Sequence, residues 1–331
     1  MRFTRRGNRI QLNKKITLMF FIIIALFSAC SKEQSQQNSS LQRNEARRTS
    51  SQYRTEGDFE IVITRIENIR EFVNIIKYVG TDTRIQIPAI IQGLPVTTIG
   101  KEAFMGKQLT SVTLPDSMAF IGESAFRGNQ LTNIVIPEGV GSIDMYAFSR
   151  NQLTGVVIPD SVTYIGKEAF AENQLTSVTI SNGVTYIEER AFYYNQLTDV
   201  DIPENVIRIG ESAFAHNQLT SVVIPRSVTY IGNEAFFMNQ LTSVIIPSGT
   251  TSIGEYAFYF NRLIGVILPT TITNIGEGAF QKNDITSIRI GSSIAMSSGA
   301  FPFPYDFADF YVSNGSRAGT YTYINGEWRR N

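Results

Sequence analysis

Few side chains in this chain are equipped for chemistry. Its 331 residues include one cysteine, Cys30, and one histidine, His216. A lone cysteine excludes an internal disulfide and a thiolate metal cluster. A Ser/His/Asp triad or a histidine-rich metal site would have to rest on the single imidazole of His216. Carboxylates such as Glu188, Glu189 and Glu211 could pair as in glycoside hydrolysis. They fall at variable, solvent-facing positions, where a charged solvated face is the default. No nucleophile elbow, phosphate-cradling glycine loop or metal-ligand spacing occurs. The expectation is a non-enzymatic chain with no cofactor and no metal.

The charge is unevenly placed. Residues 1–57 hold 11 Lys/Arg and 3 Asp/Glu, which leaves 18 basic and 26 acidic residues for the remainder, a net of −8. A body of that sign is a poor partner for phosphate backbones, which argues against nucleic acid. Apolar content is 43%, enough for a sizeable core.

The first thirty residues read as an address. Six positive charges lie within residues 1–15, and a twelve-residue apolar run, Ile16 to Phe27, follows. Ser28, Ala29 and Cys30 come next. A basic head, a short apolar middle and a small-residue exit form a secretory signal. The run is shorter than the roughly 20 residues of a membrane-spanning helix. The stretch Phe27-Ser28-Ala29-Cys30 resembles the lipobox of bacterial lipoproteins, with Phe27 where leucine is commoner. That resemblance implies a lipid on Cys30, which becomes the mature N-terminus and anchors the protein to a membrane. A plain signal peptide with a chance cysteine is the alternative. Residues 31–57 are polar and cannot offset their ordering entropy, so they read as a flexible linker. Their excess arginine could also touch anionic headgroups.

The elements that must position everything else come from a repeat. Ala-Phe recurs at 103–104, 125–126, 147–148, 169–170, 191–192, 213–214, 235–236, 257–258 and 279–280, always 22 residues apart, with a last copy at 300–301. Proline keeps the same step at 115, 137, 159, 203, 225, 247 and 269, and Asn-Gln-Leu-Thr recurs from Asn129 to Asn239. Such a period signals a solenoid. In residues 173–192, Val178 and Ile180 alternate with Ser177 and Thr179, which predicts one short strand per coil with one face inward. Proline ends that strand. Val184 and Ile187 point in again, and Ala191 and Phe192 close the coil. A glycine follows the isoleucine in most coils, where a sharp bend is expected. The recurrent asparagine is expected to bond backbone groups of its own and the next coil.

The pattern N-Q-L-T-x-V-x-I-P-x-x-V-x-x-I-G-x-x-A-F resembles the BspA-type leucine-rich repeats of bacterial surface proteins, common in treponemes and Bacteroidetes. The resemblance covers residues 83–301 and is near verbatim in the central coils. It implies a repeat solenoid of leucine-rich-repeat type with one short parallel strand per coil. Exposed end coils would show apolar core and unpaired strand edge. Residues 58–82 are therefore read as an N-terminal cap. Residues 302–331, with Phe303, Tyr305, Phe307, Phe310, Tyr321, Tyr323 and Trp328, are read as an aromatic closing hairpin.

Two surfaces are candidates for binding. One is the outward row of the predicted strands: Thr113, Val135, Val157, Thr179, Asp201, Val223, Ile245, Ile267 and Arg289, beside a row of small residues that includes Ser177, Asp199 and Ser221. A contiguous apolar strip marks an interaction site, although β-branched residues also simply favour strands. The second follows each Ala-Phe: Tyr193, Tyr194, Phe237, Met238, Tyr259 and Phe260. Residues of these types are enriched in binding hot spots, and partial burial between coils is the plainer reading. Tyr164, Tyr186 and Tyr230 form a third row.

The family resemblance implies adhesion: binding of host matrix proteins, host cells or other bacteria by a lipoprotein on the outer membrane, through protein contacts. A periplasm-facing envelope scaffold with an endogenous partner is the alternative.

Overall fold

The computed structural model describes residues 53–66, 70–297, 299–302 and 307–331. The signal segment, Cys30 and residues 31–52 of the linker lie outside the described residues, as do Phe303 and Tyr305 of the closing segment. The description below concerns the unit Arg54–Asn331.

Each 22-residue repeat forms one coil of a β-solenoid. The expected strand is present in most coils, for example at Gly155–Val157, which runs parallel and in register with Ser177–Thr179; at Asp201 and Val223 it shrinks to single bridges, and none is formed at 133–135. Proline ends the strand and opens a tight turn, in which the Val162 N–H donates to the Pro159 carbonyl at 3.0 Å. The chain then forms a second, two-residue strand such as Tyr186–Ile187. That second ladder is the more continuous. It runs in register from Leu94–Ile99 through Phe120–Ile121, Ser142–Ile143 and Tyr164–Ile165, and again from Tyr186–Ile187 to Ala295–Met296. Each coil therefore carries a parallel strand beyond the one that its alternation predicts.

The interior is set by columns of identical residues. The ten phenylalanines of the Ala-Phe column, Phe104 to Phe301, are buried and stack coil on coil, with centroids 5.0–5.8 Å apart and ring planes within 15°. Full burial of a phenylalanine contributes about 1.5–3 kcal/mol, and each ring pair adds about 0.5–1.5 kcal/mol. The alanine before each ring is fully buried, so a larger side chain has no room there.

Asparagine closes the polar accounts. The Asn195 amide donates to the carbonyls of Phe170 and Phe192 at 3.0 and 3.2 Å, and its oxygen accepts from the Leu175 N–H at 3.0 Å. The same set recurs at Asn151, Asn217 and Asn261. The ladder ties each asparagine to its own coil and the preceding one, where the sequence suggested the next.

The glycine after the isoleucine has a different cause from the predicted sharp bend. A Cβ on Gly166 would lie 2.5 Å from the Met145 nitrogen, and one on Gly232 would lie 2.6 Å from the Gly210 carbonyl carbon. Neither residue has a positive φ. Neighbouring backbones approach too closely for a side chain, and that approach selects glycine. Positive φ occurs instead at two places flanking Ala-Phe, as at Arg190 (53°) and Tyr194 (54°).

Both ends depart from the coil. Strands β1 (Tyr53–Glu56), β2 (Phe59–Ile66) and β3 (Arg70–Tyr78) open the unit. β1 begins inside the stretch read as linker. β2 and β3 pair antiparallel, and β3 joins Leu94–Ile99 in parallel. Phe59 and Tyr78 extend the ring stack, 6.3 and 5.5 Å from Phe104. At the other end a short helix α1 (Phe307–Ser313) precedes the hairpin Gly319–Ile324 and Glu327–Arg330. Phe307 meets Phe301 edge-on at 5.2 Å, and Tyr321 and Trp328 pack on its other sides at 5.2 and 5.0 Å. The closing segment thus adds a helix to the expected hairpin.

Candidate functional site

The outward row of the first ladder is exposed, and it is in register in two runs, Val157 to Val223 and Ile245 to Arg289. Val157 pairs with Thr179, Thr179 with Asp201 and Asp201 with Val223; further on, Ile245 pairs with Ile267. Val135, Val157, Val223 and Ile245 are 74, 66, 73 and 69% exposed. Two places before Val157, Val223 and Ile245 stand the short residues Gly155, Ser221 and Ser243, so these branched side chains stand clear of their neighbours. Thr179 and Asp201 interrupt the apolar row. They divide it into Val135–Val157 and Val223–Ile245–Ile267.

The residues that follow Ala-Phe come together as an aromatic edge. His216 lies 5.3 Å from the Tyr193 ring, 5.8 Å from Tyr194 and 5.4 Å from Phe237. Phe237 stacks on Tyr259 at 5.3 Å with planes 10° apart, and Phe260 adjoins Tyr259 at 6.4 Å. Tyr193, Phe237 and Tyr259 are half-buried, while Tyr194, Met238 and Phe260 are exposed. Burial pulls the His216 pKa below its ordinary value, and Glu234 pulls weakly the other way. Tyr256 also belongs to this edge, its ring 5.6 Å from Tyr259 and its hydroxyl donating to Glu277 at 3.3 Å. Sequence reading missed Tyr256. Its place three residues before Tyr259, in the same turn, was the available signal.

The third row, on the second ladder, holds Tyr164, Tyr186 and Tyr230, and Arg208 completes it, its guanidinium 4.9 Å above the Tyr230 ring. Burial, with Glu188 and Asp144 adding, pushes the Tyr164 hydroxyl up to about 12. It is therefore a neutral donor at physiological pH.

The carboxylates considered for catalysis sit in different surroundings. Glu189 makes an ion pair with Lys167 at 2.7 Å, Glu188 is half-buried and Glu211 is exposed. Among the described residues no group of three or more His, Cys, Asp or Glu could hold a metal ion. None of their helices is long and apolar enough to cross a membrane.

Comparison with known proteins follows the same lines. The family model of the BspA type leucine rich repeat region, six copies, matches residues 97–220 and 185–303. No curated protein sequence matches the chain. Among solved structures, the pneumococcal vaccine antigen PcpA is 18% identical over 76% of this chain and 86% of its own, with a TM-score of 0.50. A leucine rich cell surface protein from Faecalibacterium prausnitzii is 24% identical over 77% of this chain and 86% of its own, with a TM-score of 0.49. A leucine rich repeat protein of T. pallidum is 20% identical over 76% of this chain and 84% of its own, with a TM-score of 0.26. At these identities the likeness concerns the fold alone.

Proposed function

The chain belongs to the BspA-type leucine-rich repeat family, and from that premise we propose that it is a non-catalytic lipoprotein, anchored through Cys30 to the bacterial outer membrane and exposed on the cell surface. It binds protein ligands there: host matrix proteins, surface proteins of host cells, or other bacteria. The fold itself points to protein–protein interaction. The observation that carries this reading is the branched row on the first ladder, in particular Val223 and Ile245, about 70% exposed although the backbone of each is paired to a neighbouring coil, at Asp201 and Ile267. A rigid apolar strip desolvates on contact without first ordering a loop. Many copies on one membrane convert weak contacts into strong attachment.

The test has two arms. Protease treatment of intact cells, with permeabilised cells as the control, should remove the solenoid from intact cells. Cells carrying Val223→Ser, Ile245→Ser and Ile267→Ser together should attach to immobilised matrix proteins at least tenfold less than wild type, at equal surface display. Protection of the solenoid until permeabilisation would replace adhesion with the envelope-scaffold reading. Unchanged attachment by the triple variant would remove this row as the binding surface.

A further inference from the structure

We propose that the aromatic edge between Tyr193 and Phe260 docks a cationic, amphipathic protein segment, one that alternates Lys or Arg with apolar side chains. The proposal rests on the chain being a protein-binding solenoid, but it uses a different part of each coil from the branched row.

The aromatic edge is not required by the coil. In the first two repeats the matching left-handed position is filled by Gly106 and Gly128, with φ of 66° and 69°. Glycine adopts this conformation freely and other residues do so at a cost. Tyr194, Met238 and Phe260 occupy it at 54°, 51° and 56° and remain exposed. Packing therefore does not account for them.

The ring geometry selects the kind of contact. Phe237 and Tyr259 each cover a face of the other, so neither offers both faces to a sugar. The exposed Met238 thioether and the rings of Tyr194 and Phe260 suit branched or aromatic side chains of a protein partner.

Charge selects the partner's sign. In the earlier coils the turn beside Ala-Phe is neutralised by ion pairs from one coil to another: Lys101–Glu123 at 3.0 Å, Lys167–Glu189 at 2.7 Å and Arg150–Glu172 at 3.2 Å. From Glu211 onward the same turn carries four carboxylates, Glu211, Glu234, Glu255 and Glu277, against one cation, Lys282 at the far end, and none of these five makes an ion pair among the described residues. Three of these carboxylates adjoin the rings: Glu277 accepts from the Tyr256 hydroxyl, Glu255 also acts on Tyr256, and Glu234 acts on His216. At the first coil of the edge Arg190 still pairs with Glu168 and Glu189 and lies 5.7 Å above the Tyr193 ring; compensation stops one coil later, at Glu211. Such a surface repels phosphate, sulfated glycans and anionic lipid headgroups and attracts ammonium and guanidinium groups.

The experiment measures binding of the full-length chain to three labelled twelve-residue probes by fluorescence anisotropy. One probe alternates lysine with leucine, the second glutamate with leucine, and the third lysine with serine. The lysine–leucine probe should bind best, and more weakly as salt is raised. Replacing Glu211, Glu234, Glu255 and Glu277 together by glutamine should weaken it about tenfold. Tyr194→Ser with Phe260→Ser should weaken it similarly, whereas Val223→Ser with Ile245→Ser should leave it unchanged. If the quadruple variant loses its cooperative melt, Glu211→Gln and Glu255→Gln, both at exposed positions, carry the comparison. Undiminished binding to the glutamine variants, equal binding of the lysine–serine probe, or no binding of the lysine–leucine probe would each overturn the proposal. If attachment to matrix proteins still depends on Val223 and Ile245 in that event, the protein-binding reading survives.

Discussion

The side-chain amide of Asn195 donates to the carbonyl of Phe170, 25 residues earlier, at 3.0 Å. The same side chain accepts from the Leu175 N–H, so one carboxamide closes the open backbone of the coil before it. Removing it leaves buried donors and acceptors without partners, each costing about 1–3 kcal/mol. Asn195→Ala should destabilise by on the order of 3 kcal/mol. Gln196→Ala, at an exposed position, should stay within about 0.5 kcal/mol. Urea unfolding midpoints decide it, and equal midpoints would remove the buried-amide argument.

Gly232 tests the close approach of coils. An added Cβ meets the Gly210 carbonyl group at 2.6–2.7 Å and the Glu211 nitrogen at 2.8 Å, and these are backbone atoms that move only with the coil. Gly232→Ala should cost about 1–3 kcal/mol, in the range of overpacked cores. Gly155→Ala, where the nearest atom is a serine hydroxyl at 3.3 Å, should cost less. Thermal melts of the two variants make the comparison, and the reverse order would contradict the cause assigned to this column.

His216 gives the edge a pH dependence. Burial among Tyr193, Tyr194 and Phe237 lowers its folded-state pKa below 6.5, with Glu234 opposing. The folded state then binds a proton less readily than the unfolded one. The contribution is complete above about 6.5 and is lost as pH falls through that value toward the lowered folded pKa. The gap in melting temperature between wild type and His216→Asn, whose new residue tolerates positive φ, should therefore change between pH 7.5 and 5. A constant gap would place the imidazole in solvent.

The strict step of 22 residues predicts that a whole coil is dispensable. Deleting residues 174–195 joins Asn173 to Gln196 and leaves the Phe, Asn and Ala columns in phase. Nearest-neighbour stacking then predicts a folded chain with a modestly lower melting temperature. A broad, non-cooperative circular-dichroism melt would argue against interchangeable coils. Deleting 11 residues instead should abolish folding.

The sequence disclosed the coil and its columns because Ala-Phe keeps one phase for nine repeats, Asn for eight and Pro for seven. It concealed the second ladder, since a strand as short as Tyr186–Ile187 carries no alternation to read. It also misassigned the glycines: Gly166 and Gly232 are demanded by the backbone of another coil, which no local pattern reveals. Helix α1 was invisible because Phe307–Ser313 spans barely two turns and is rich in aromatics. The outward rows could be listed from their phase, and Val223 and Ile245 are exposed as that phase requires. The meeting of Glu234 with His216, or of Tyr256 with Glu277, could not be read, because it depends on which columns adjoin across the turn.

The ends of the molecule bear on how long it can become. Coils that stack in parallel on identical copies of themselves behave like a one-dimensional crystal, able to add layers head to tail without limit. Here the pairing reverses direction at both tips, at β2 against β3 and at Ser287–Ile290 against Gly319–Ile324. On those two ladders an incoming coil finds no parallel layer to copy. In crystal-growth terms the tips act as poisons, and they make the particle a fixed length where the repeat alone would give a fibre.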